Sequence, residues 1–263
     1  WNRKDVAVTL HHSVASRCPV PLEERERIEC RKKLWVLEEI EGRPTNCQTG
    51  QKSHFFGWNN EMGSVENLAL QHYEKEENGA WMGIHCENGL FHMLFGLFMC
   101  DTLFLDVPHV FQTLYQDAPL DLPSRQFYQN RRAAIDSRLD WLRNAAQGEL
   151  SSEIQRTYAR LRGKRIRGVR WDRWEEEKLG LVCECIGGKA LAKVCECFAK
   201  GYRGWSGGLP DLFLWNEERM ECKLVEVKGP NDRLSNQQKA WLMELAEVFV
   251  VEVLKVKKPV AED

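Results

Sequence analysis

The alternation of apolar and polar positions is clearest in the last sixty residues of the chain. Residues 212–215 form a short apolar run, residues 223–227 alternate and carry β-branched side chains, and residues 248–256 are also rich in valine. These three segments predict strands. Residues 234–246 have apolar side chains at helical spacing and predict a helix before the last strand. The order strand, strand, helix, strand indicates an α/β domain.

Segments upstream of these strands predict helices. Ser64, followed by an apolar run, predicts the start of a helix. Residues 90–104 predict a buried helix, residues 127–141 an amphipathic one, and residues 174–202 two helices joined by glycines. Residues 1–63 are irregular, so we interpret them as an N-terminal appendage that belongs with an incomplete upstream domain. Residues 64–263 are then the domain itself.

Composition narrows the class of protein only slightly. With 263 residues, 43% of them hydrophobic, the chain can bury a sizeable core. The net charge of -2 argues neither for nor against a nucleic-acid partner. No apolar window is long enough for a membrane span, and no signal peptide opens the chain. Because the chain begins at Trp1, we interpret it as part of a longer intracellular protein, with its ten cysteines mostly reduced and buried.

Two acids and a lysine near the C-terminus carry the candidate chemistry. Asp211 follows Pro210 at the head of one predicted strand, and Glu226 and Lys228 lie two residues apart on the next, so that both share one face. If these strands pair as a hairpin, the two carboxylates converge beside the lysine and repel each other unless a cation lies between them. Oxygen ligands suit Mg²⁺ or Mn²⁺, which can activate water for phosphodiester hydrolysis. The alternative is a surface hairpin with an ordinary salt bridge.

The residues around this pattern resemble a known family. The stretch Gly-Gly-Leu-Pro-Asp-Leu at residues 207–212 and the stretch Lys-Leu-Val-Glu-Val-Lys-Gly-Pro-Asn-Asp-Arg-Leu-Ser at residues 223–235 are similar to the VRR-NUC domain of the PD-(D/E)xK superfamily, and most of all to the Fanconi-associated nucleases. The resemblance covers residues 64–257. It implies an α/β fold of restriction-endonuclease type, a mixed sheet flanked by helices. It also implies a structure-selective DNA nuclease, nuclear, that cuts near 5′ flaps, degrades DNA from 5′ to 3′ and acts in interstrand crosslink repair.

The resemblance also assigns roles to individual residues. The metal ligands, for Mg²⁺ or Mn²⁺, are Glu87, Asp211, Glu226 and the carbonyl of Val227. The catalytic set is Asp211, Glu226, Lys228, Asp232, Arg233 and Gln116. Gln237 departs from the pattern, because some relatives have a lysine at that position.

Candidate DNA contacts lie outside this set. By resemblance, Arg203 is close to the DNA 5′ end. Residues 160–173 hold a basic cluster beside Trp171 and Trp174, from which we predict phosphate contacts by Arg165, Arg167 and Arg170. A solvated turn between helices explains the cluster equally well. Helical spacing from Trp241 lets Gln238 face the cleft, so we include it among the DNA contacts.

Several alternatives stay open at this point. A Holliday-junction resolvase on the same fold and a non-catalytic DNA-binding module would carry the same pattern. The pairs Cys183, Cys185 and Cys195, Cys197 suggest zinc, but residues two apart on a helix face different ways, so we do not predict a zinc site. The expected partner is branched or flapped duplex DNA, with no membrane. Repair proteins are expected to bind through segments upstream of this sequence.

Overall fold

A five-stranded mixed sheet forms the centre of the part of the chain that the structure describes. The structure is a computed structural model that describes residues 35–45, 54–57, 61–86 and 88–259. The strands are β1 (Val36–Glu41), β2 (Phe55–Phe56), β3 (Met62–Gly63), β4 (Met82–His85), β5 (Leu212–Asn216), β6 (Glu221–Lys228) and β7 (Val250–Lys257). The main sheet has the order β1-β7-β6-β5-β4, while β2 and β3 form a separate two-stranded ribbon. Neighbours β4, β5 and β6 are antiparallel, and β6, β7 and β1 are parallel.

Helices cover both faces of this sheet, as the sequence predicted for its fold class. They are α1 (Val65–Glu74), α2 (Gly89–Phe98), α3 (Cys100–Leu103), α4 (Gln126–Asn144), α5 (Glu149–Leu161), α6 (Glu176–Ile186), α7 (Gly188–Trp205) and α8 (Asn236–Leu245). The predicted helix start at Ser64 is confirmed, because its Oγ accepts a hydrogen bond from the Asn67 amide at 3.3 Å. The predicted helix over residues 90–104 is interrupted at Met99, which separates α2 from α3. Among the described residues, no helix is long and apolar enough to cross a membrane.

The two faces of the sheet pack into two separate apolar cores. Phe213 and Leu224 belong to the larger core, which contains residues of α2, α4, α6 and α7. Leu212 and Val225, their neighbours along the strands, belong to the smaller core beside α1. Because side chains alternate along a strand, positions in step with Phe213 and Leu224 face the larger core. Asp211 lies two residues before Phe213, and Glu226 and Lys228 lie two and four residues after Leu224. All three are therefore on the side of the sheet that faces the larger core.

The sheet extends upstream of the boundary predicted at residue 64. Strand β1 pairs in parallel with β7, and the Gly42 amide then donates to the Lys257 carbonyl at 2.8 Å. A Cβ at Gly42 would lie 2.7 Å from the side chains of both Phe55 and Val256, so the backbone packs closely there. The pairing of β1 joins segments some two hundred residues apart, which local patterning does not reveal. Residues 1–34 lie outside the described residues.

The predicted glycine turn between two helices is confirmed at the junction of α6 and α7. Gly187 has a positive φ of 79°, which favours glycine. A Cβ at Gly188 would lie 1.9 Å from the Leu142 carbonyl oxygen, so the start of α7 contacts the backbone of α4 directly. Cys183, Cys185, Cys195 and Cys197 are free thiols buried in this helical packing.

This close contact makes Gly188 a test of the helical packing. We expect Gly188→Ala to lower the free energy of unfolding by about 2 kcal/mol or more, because the backbone must move to admit the methyl group. Gly204→Ala, in the same helix, meets nothing within 4 Å and should cost nothing. Urea unfolding of both variants measures the difference. Equal stability would show that α7 does not approach α4 this closely.

Candidate active site

The hairpin of β5 and β6 brings the predicted acids together. Its antiparallel register pairs Leu212 with Val225, which places Asp211 across from Glu226. Lys228 lies two residues further along β6 on the same face. The convergence predicted from the spacing of these residues is therefore confirmed.

Glu226 is the buried centre of this arrangement. Its exposed fraction is 0%, and its Oε1 accepts hydrogen bonds from Lys228 Nζ at 2.7 Å and from Gln238 Nε2 at 2.5 Å. The other oxygen, Oε2, is buried and has no hydrogen-bond partner. A buried carboxylate oxygen without a donor is costly, and such an exception calls for an explanation.

Asp211 is held by the strand that carries Glu226. Its Oδ2 accepts the Val227 backbone N–H at 2.9 Å, which fixes the carboxylate beside the hairpin. Burial raises the pKa of Asp211, partly opposed by this hydrogen bond and by the charge of Lys228. Burial and the nearby charge of Asp211 raise the pKa of Glu226 to about 8, in spite of Lys228. Two desolvated carboxyl groups that disfavour joint ionisation are the setting in which a cation binds.

Lys228 keeps its charge within this site. Burial alone would lower its pKa, but the hydrogen bond and charge of Glu226, with Asp232 and Asp211, raise it above the ordinary value. Lys228 is 6% exposed, and its ammonium also lies 3.4 Å from Asp232 Oδ2. A lysine that stays protonated serves as a donor and positive charge, not as a general base. Asp232 is exposed at the rim, where its Oδ1 accepts the Arg233 amide, and Arg233 is exposed as well.

The donor set suits a hard divalent cation. The unpartnered Oε2 of Glu226 and the carboxylate of Asp211 are oxygen donors of the kind that Mg²⁺ and Mn²⁺ prefer. Among the described residues, no third histidine, cysteine or acid joins them in a group that could hold a metal. Glu87, the predicted third acid, lies outside the described residues, and the Val227 carbonyl stays a prediction.

The neighbours of Glu87 are nevertheless tied to the segment that carries Asp211. The Cys86 amide donates to the Asp211 carbonyl at 3.0 Å. The Asn88 side-chain oxygen accepts the Leu209 amide at 3.2 Å. These two bonds tie the described residues on either side of position 87 to the segment that carries Asp211, and the role of Glu87 stays a prediction.

Gln116, predicted to support catalysis, is hydrogen-bonded within its own loop. Its side-chain oxygen accepts the amides of Gln112 and Thr113 at 2.5 and 3.0 Å, and its Nε2 donates to the carbonyls of Val110 and Ala118. The amide group is thus fully used within residues 110–118. The structure gives Gln116 a role in holding this loop, and its catalytic role stays a prediction.

The predicted DNA contacts differ in how free their side chains are. Arg165, Arg170 and Arg203 are exposed and have no side-chain partner within the described ranges. Arg167 binds Asp117 through its Nε and Nη2 at 2.8–3.0 Å, so a phosphate contact would have to displace that pair. Gln238 binds Glu226 and Ser235, so a DNA contact would likewise replace one of these bonds.

The structure adds residues that spacing did not reveal. Glu66, in the first turn of α1, raises the pKa of Asp211 by its charge, and His85 lowers it. Glu66 and Asp232 also line one cavity of about 420 Å³ at this end of the sheet. The parallel register of β6 and β7 sets Lys255 beside Lys228. All of these residues approach the site through tertiary contacts, which spacing along the chain does not reveal.

Comparison with known proteins agrees with this site. The VRR-NUC domain family matches residues 145–258. The chain is 46% identical over 222 residues to the Fanconi-associated nuclease 1 homolog of Oryza sativa subsp. japonica, covering 82% of this chain and 23% of that protein. It is 41% identical over 199 residues to Fanconi-associated nuclease 1 of Homo sapiens, covering 73% of this chain and 19% of that protein. The chain thus spans about a quarter or less of the length of these relatives.

A solved structure has the same fold. The crystal structure of paFAN1 bound to 5′-flap DNA with a 2-nucleotide flap and a gap superposes with a TM-score of 0.73 at 27% identity. The superposition covers 95% of this chain and 45% of that one.

The fold and the carboxylate–lysine site define a VRR-NUC nuclease domain, whose fold implies a divalent metal cofactor. Within that class, the chain belongs with the Fanconi-associated nucleases, of which it matches the C-terminal nuclease region. These relatives are named as nucleases, and a nuclease is a phosphodiester hydrolase.

The raised pKa of Glu226 predicts a pH-dependent stability of the metal-free protein. The native state retains a proton that the unfolded chain loses above about pH 4.5, so this stabilisation is present in acid and is lost as pH rises through about 8. Relative to Glu226→Gln, which cannot titrate, wild type should lose up to about 1.4 kcal/mol per pH unit in that window. Unfolding in EDTA at a series of pH values measures this. Parallel curves for the two proteins would contradict it.

Proposed function

We propose that this chain hydrolyses DNA phosphodiester bonds with Mg²⁺ or Mn²⁺ at the site of Asp211, Glu226 and Lys228. The observation that carries the proposal is the buried carboxylate of Glu226, with one oxygen bound by two donors and the other left without a partner. A protein that only bound DNA would gain nothing from burying this group in such a state.

The residues of the site have separate roles in this proposed reaction. When bound, a divalent ion supplies Lewis-acid activation of the phosphate and of a water molecule. Asp211 and Glu226 would hold that ion through their carboxylate oxygens. Lys228, which keeps its proton, offers a positive charge and a donor to the nucleophile or to the charge that develops on the phosphate. Asp232, at the exposed edge of the site, accepts a hydrogen bond from the Lys228 ammonium and so helps to hold it in position.

Finer features of the reaction rest on the relatives. We propose structure-selective cutting near 5′ flaps and 5′ to 3′ degradation, because the structural neighbour is bound to 5′-flap DNA. We further propose a role in interstrand crosslink repair in the nucleus, by likeness to the Fanconi-associated nucleases. Repair proteins would then bind outside the region that this chain shares with its relatives.

Cleavage of a labelled 5′-flap duplex tests the central claim. Wild type should cut with Mg²⁺ or Mn²⁺ and not in EDTA, and Asp211→Ala should abolish cutting because a metal ligand is lost. Glu218→Ala, which removes an exposed acid from the turn of the same hairpin, should cut like wild type. Binding of the flap without cutting, in folded protein with either metal, would instead favour a non-catalytic DNA-binding module.

The same assay separates the remaining alternative. A Holliday-junction resolvase acts as a symmetric dimer on a symmetric substrate. A dimeric mass in solution together with paired cuts in a four-way junction would therefore replace the flap nuclease proposal.

Lys228 offers a second test of the chemistry. We expect Lys228→Met to slow the single-turnover rate at saturating DNA by about a hundredfold or more, because a charged donor to the reacting phosphate is lost. Lys189→Met, at an exposed lysine in the first turn of α7, is the control and should keep the wild-type rate. A Lys228→Met rate within a few-fold of wild type would remove this lysine from the chemistry.

A further inference from the structure

Gln238 occupies a position that the chemistry described so far does not use. Its Nε2 donates to Glu226 Oε1 at 2.5 Å, beside the Lys228 ammonium at 2.7 Å on the same oxygen. Two donors on Oε1 leave Oε2 as the oxygen of Glu226 with no hydrogen-bond partner. The distribution of donors is thus unequal, and it distinguishes two oxygens that are otherwise chemically equivalent.

The orientation of the Gln238 amide is set by the start of α8. Gln238 Oε1 accepts the Ser235 backbone N–H at 2.9 Å, and Ser235 Oγ accepts the Gln238 amide at 3.1 Å, which is a capping box. Because a backbone N–H can only donate, the side-chain oxygen must face Ser235 and the NH₂ must face Glu226. Flipping the amide would break both contacts at once.

The position of α8 is fixed in turn by the segment that leads to Asp211. Trp241, fully buried, donates its Nε1 to the Gly207 carbonyl at 2.9 Å. Gln237 Nε2 donates to the Gly204 carbonyl at 2.8 Å. The helix that carries Gln238 is therefore tied to the same stretch of chain that enters β5. This fixes the distance between Gln238 and the hairpin.

We propose that Gln238 is a positioning residue, which holds Glu226 Oε1 so that Oε2 is presented to the metal. This inference rests on the proposed metal-dependent function. It assigns Gln238 a role toward the metal ligand instead of the DNA contact predicted from the sequence. The two hydrogen bonds of the capping box thereby have separate roles: the Ser235 hydroxyl caps α8, and the Ser235 backbone N–H orients the Gln238 amide toward Glu226.

Metal binding without DNA tests this role. We expect Gln238→Met, which keeps the length of the side chain but has no donor, to raise the Kd for Mn²⁺ by about tenfold or more, the usual effect of losing a group that orients a ligand. Titration of Mn²⁺ into metal-free protein, followed by the electron paramagnetic resonance signal of the free ion, measures the Kd. Cleavage by the variant should recover toward the wild-type rate at high Mn²⁺, since the ligands themselves remain.

Ser235→Ala is the matched control. It removes the hydroxyl that caps α8 but keeps the backbone N–H that orients Gln238, so it should lower the unfolding temperature and leave the Mn²⁺ Kd within about twofold. A loss of Mn²⁺ affinity in Ser235→Ala as large as in Gln238→Met would assign the effect to the helix start and overturn the proposal. Should Gln238→Met fail to fold, the smaller Gln238→Ala takes its place with the same expected loss of affinity.

The outcomes also separate this inference from the proposed function. Wild-type protein that neither binds Mn²⁺ nor cuts DNA would overturn both. Wild-type protein that binds and cuts, with an unchanged Mn²⁺ Kd in the Gln238 variant, would overturn the role of Gln238 alone.

Discussion

The burial of Glu226 is the constraint on which the rest of the site depends. A carboxylate removed from water must recover hydrogen bonds from the protein, and Glu226 recovers them on one oxygen only. Lys228 comes from the same strand, whereas Gln238 comes from a helix on the larger-core face. The apolar packing of that face therefore produces both the desolvation and the position of the second donor.

The electrostatics of the site follow from this burial. Desolvation and the proximity of Asp211 raise the pKa of Glu226, while the acids around Lys228 raise its pKa as well. The result is a carboxyl group that releases its proton reluctantly beside an ammonium that keeps its own. A divalent cation in place of that proton would relieve the repulsion between the two acids, which connects the fold of the hairpin to the proposed nuclease chemistry.

Two residues with predicted roles in catalysis or DNA binding form their hydrogen bonds with other parts of the protein. Gln116 satisfies the backbone of its own loop, and Arg167 binds Asp117 from a distant part of the chain. The resemblance pointed to Gln116 as catalytic, and the basic cluster at residues 160–173 pointed to Arg167 as a DNA contact. A structural role accounts for the hydrogen bonds of both. An amide or a guanidinium has several partners available in a folded chain, so its type and place in the sequence do not determine which one it takes.

The sequence by itself determined the elements that carry the site and the face on which Asp211, Glu226 and Lys228 meet. Both follow from local periodicity, because a strand repeats every two residues and a hairpin pairs neighbours along the chain. The tertiary structure alone decided that β1 joins the sheet beside β7, that Glu226 is fully buried and that Gln238 supplies its second donor. These features depend on contacts between residues far apart in the chain, whose packing local periodicity does not encode.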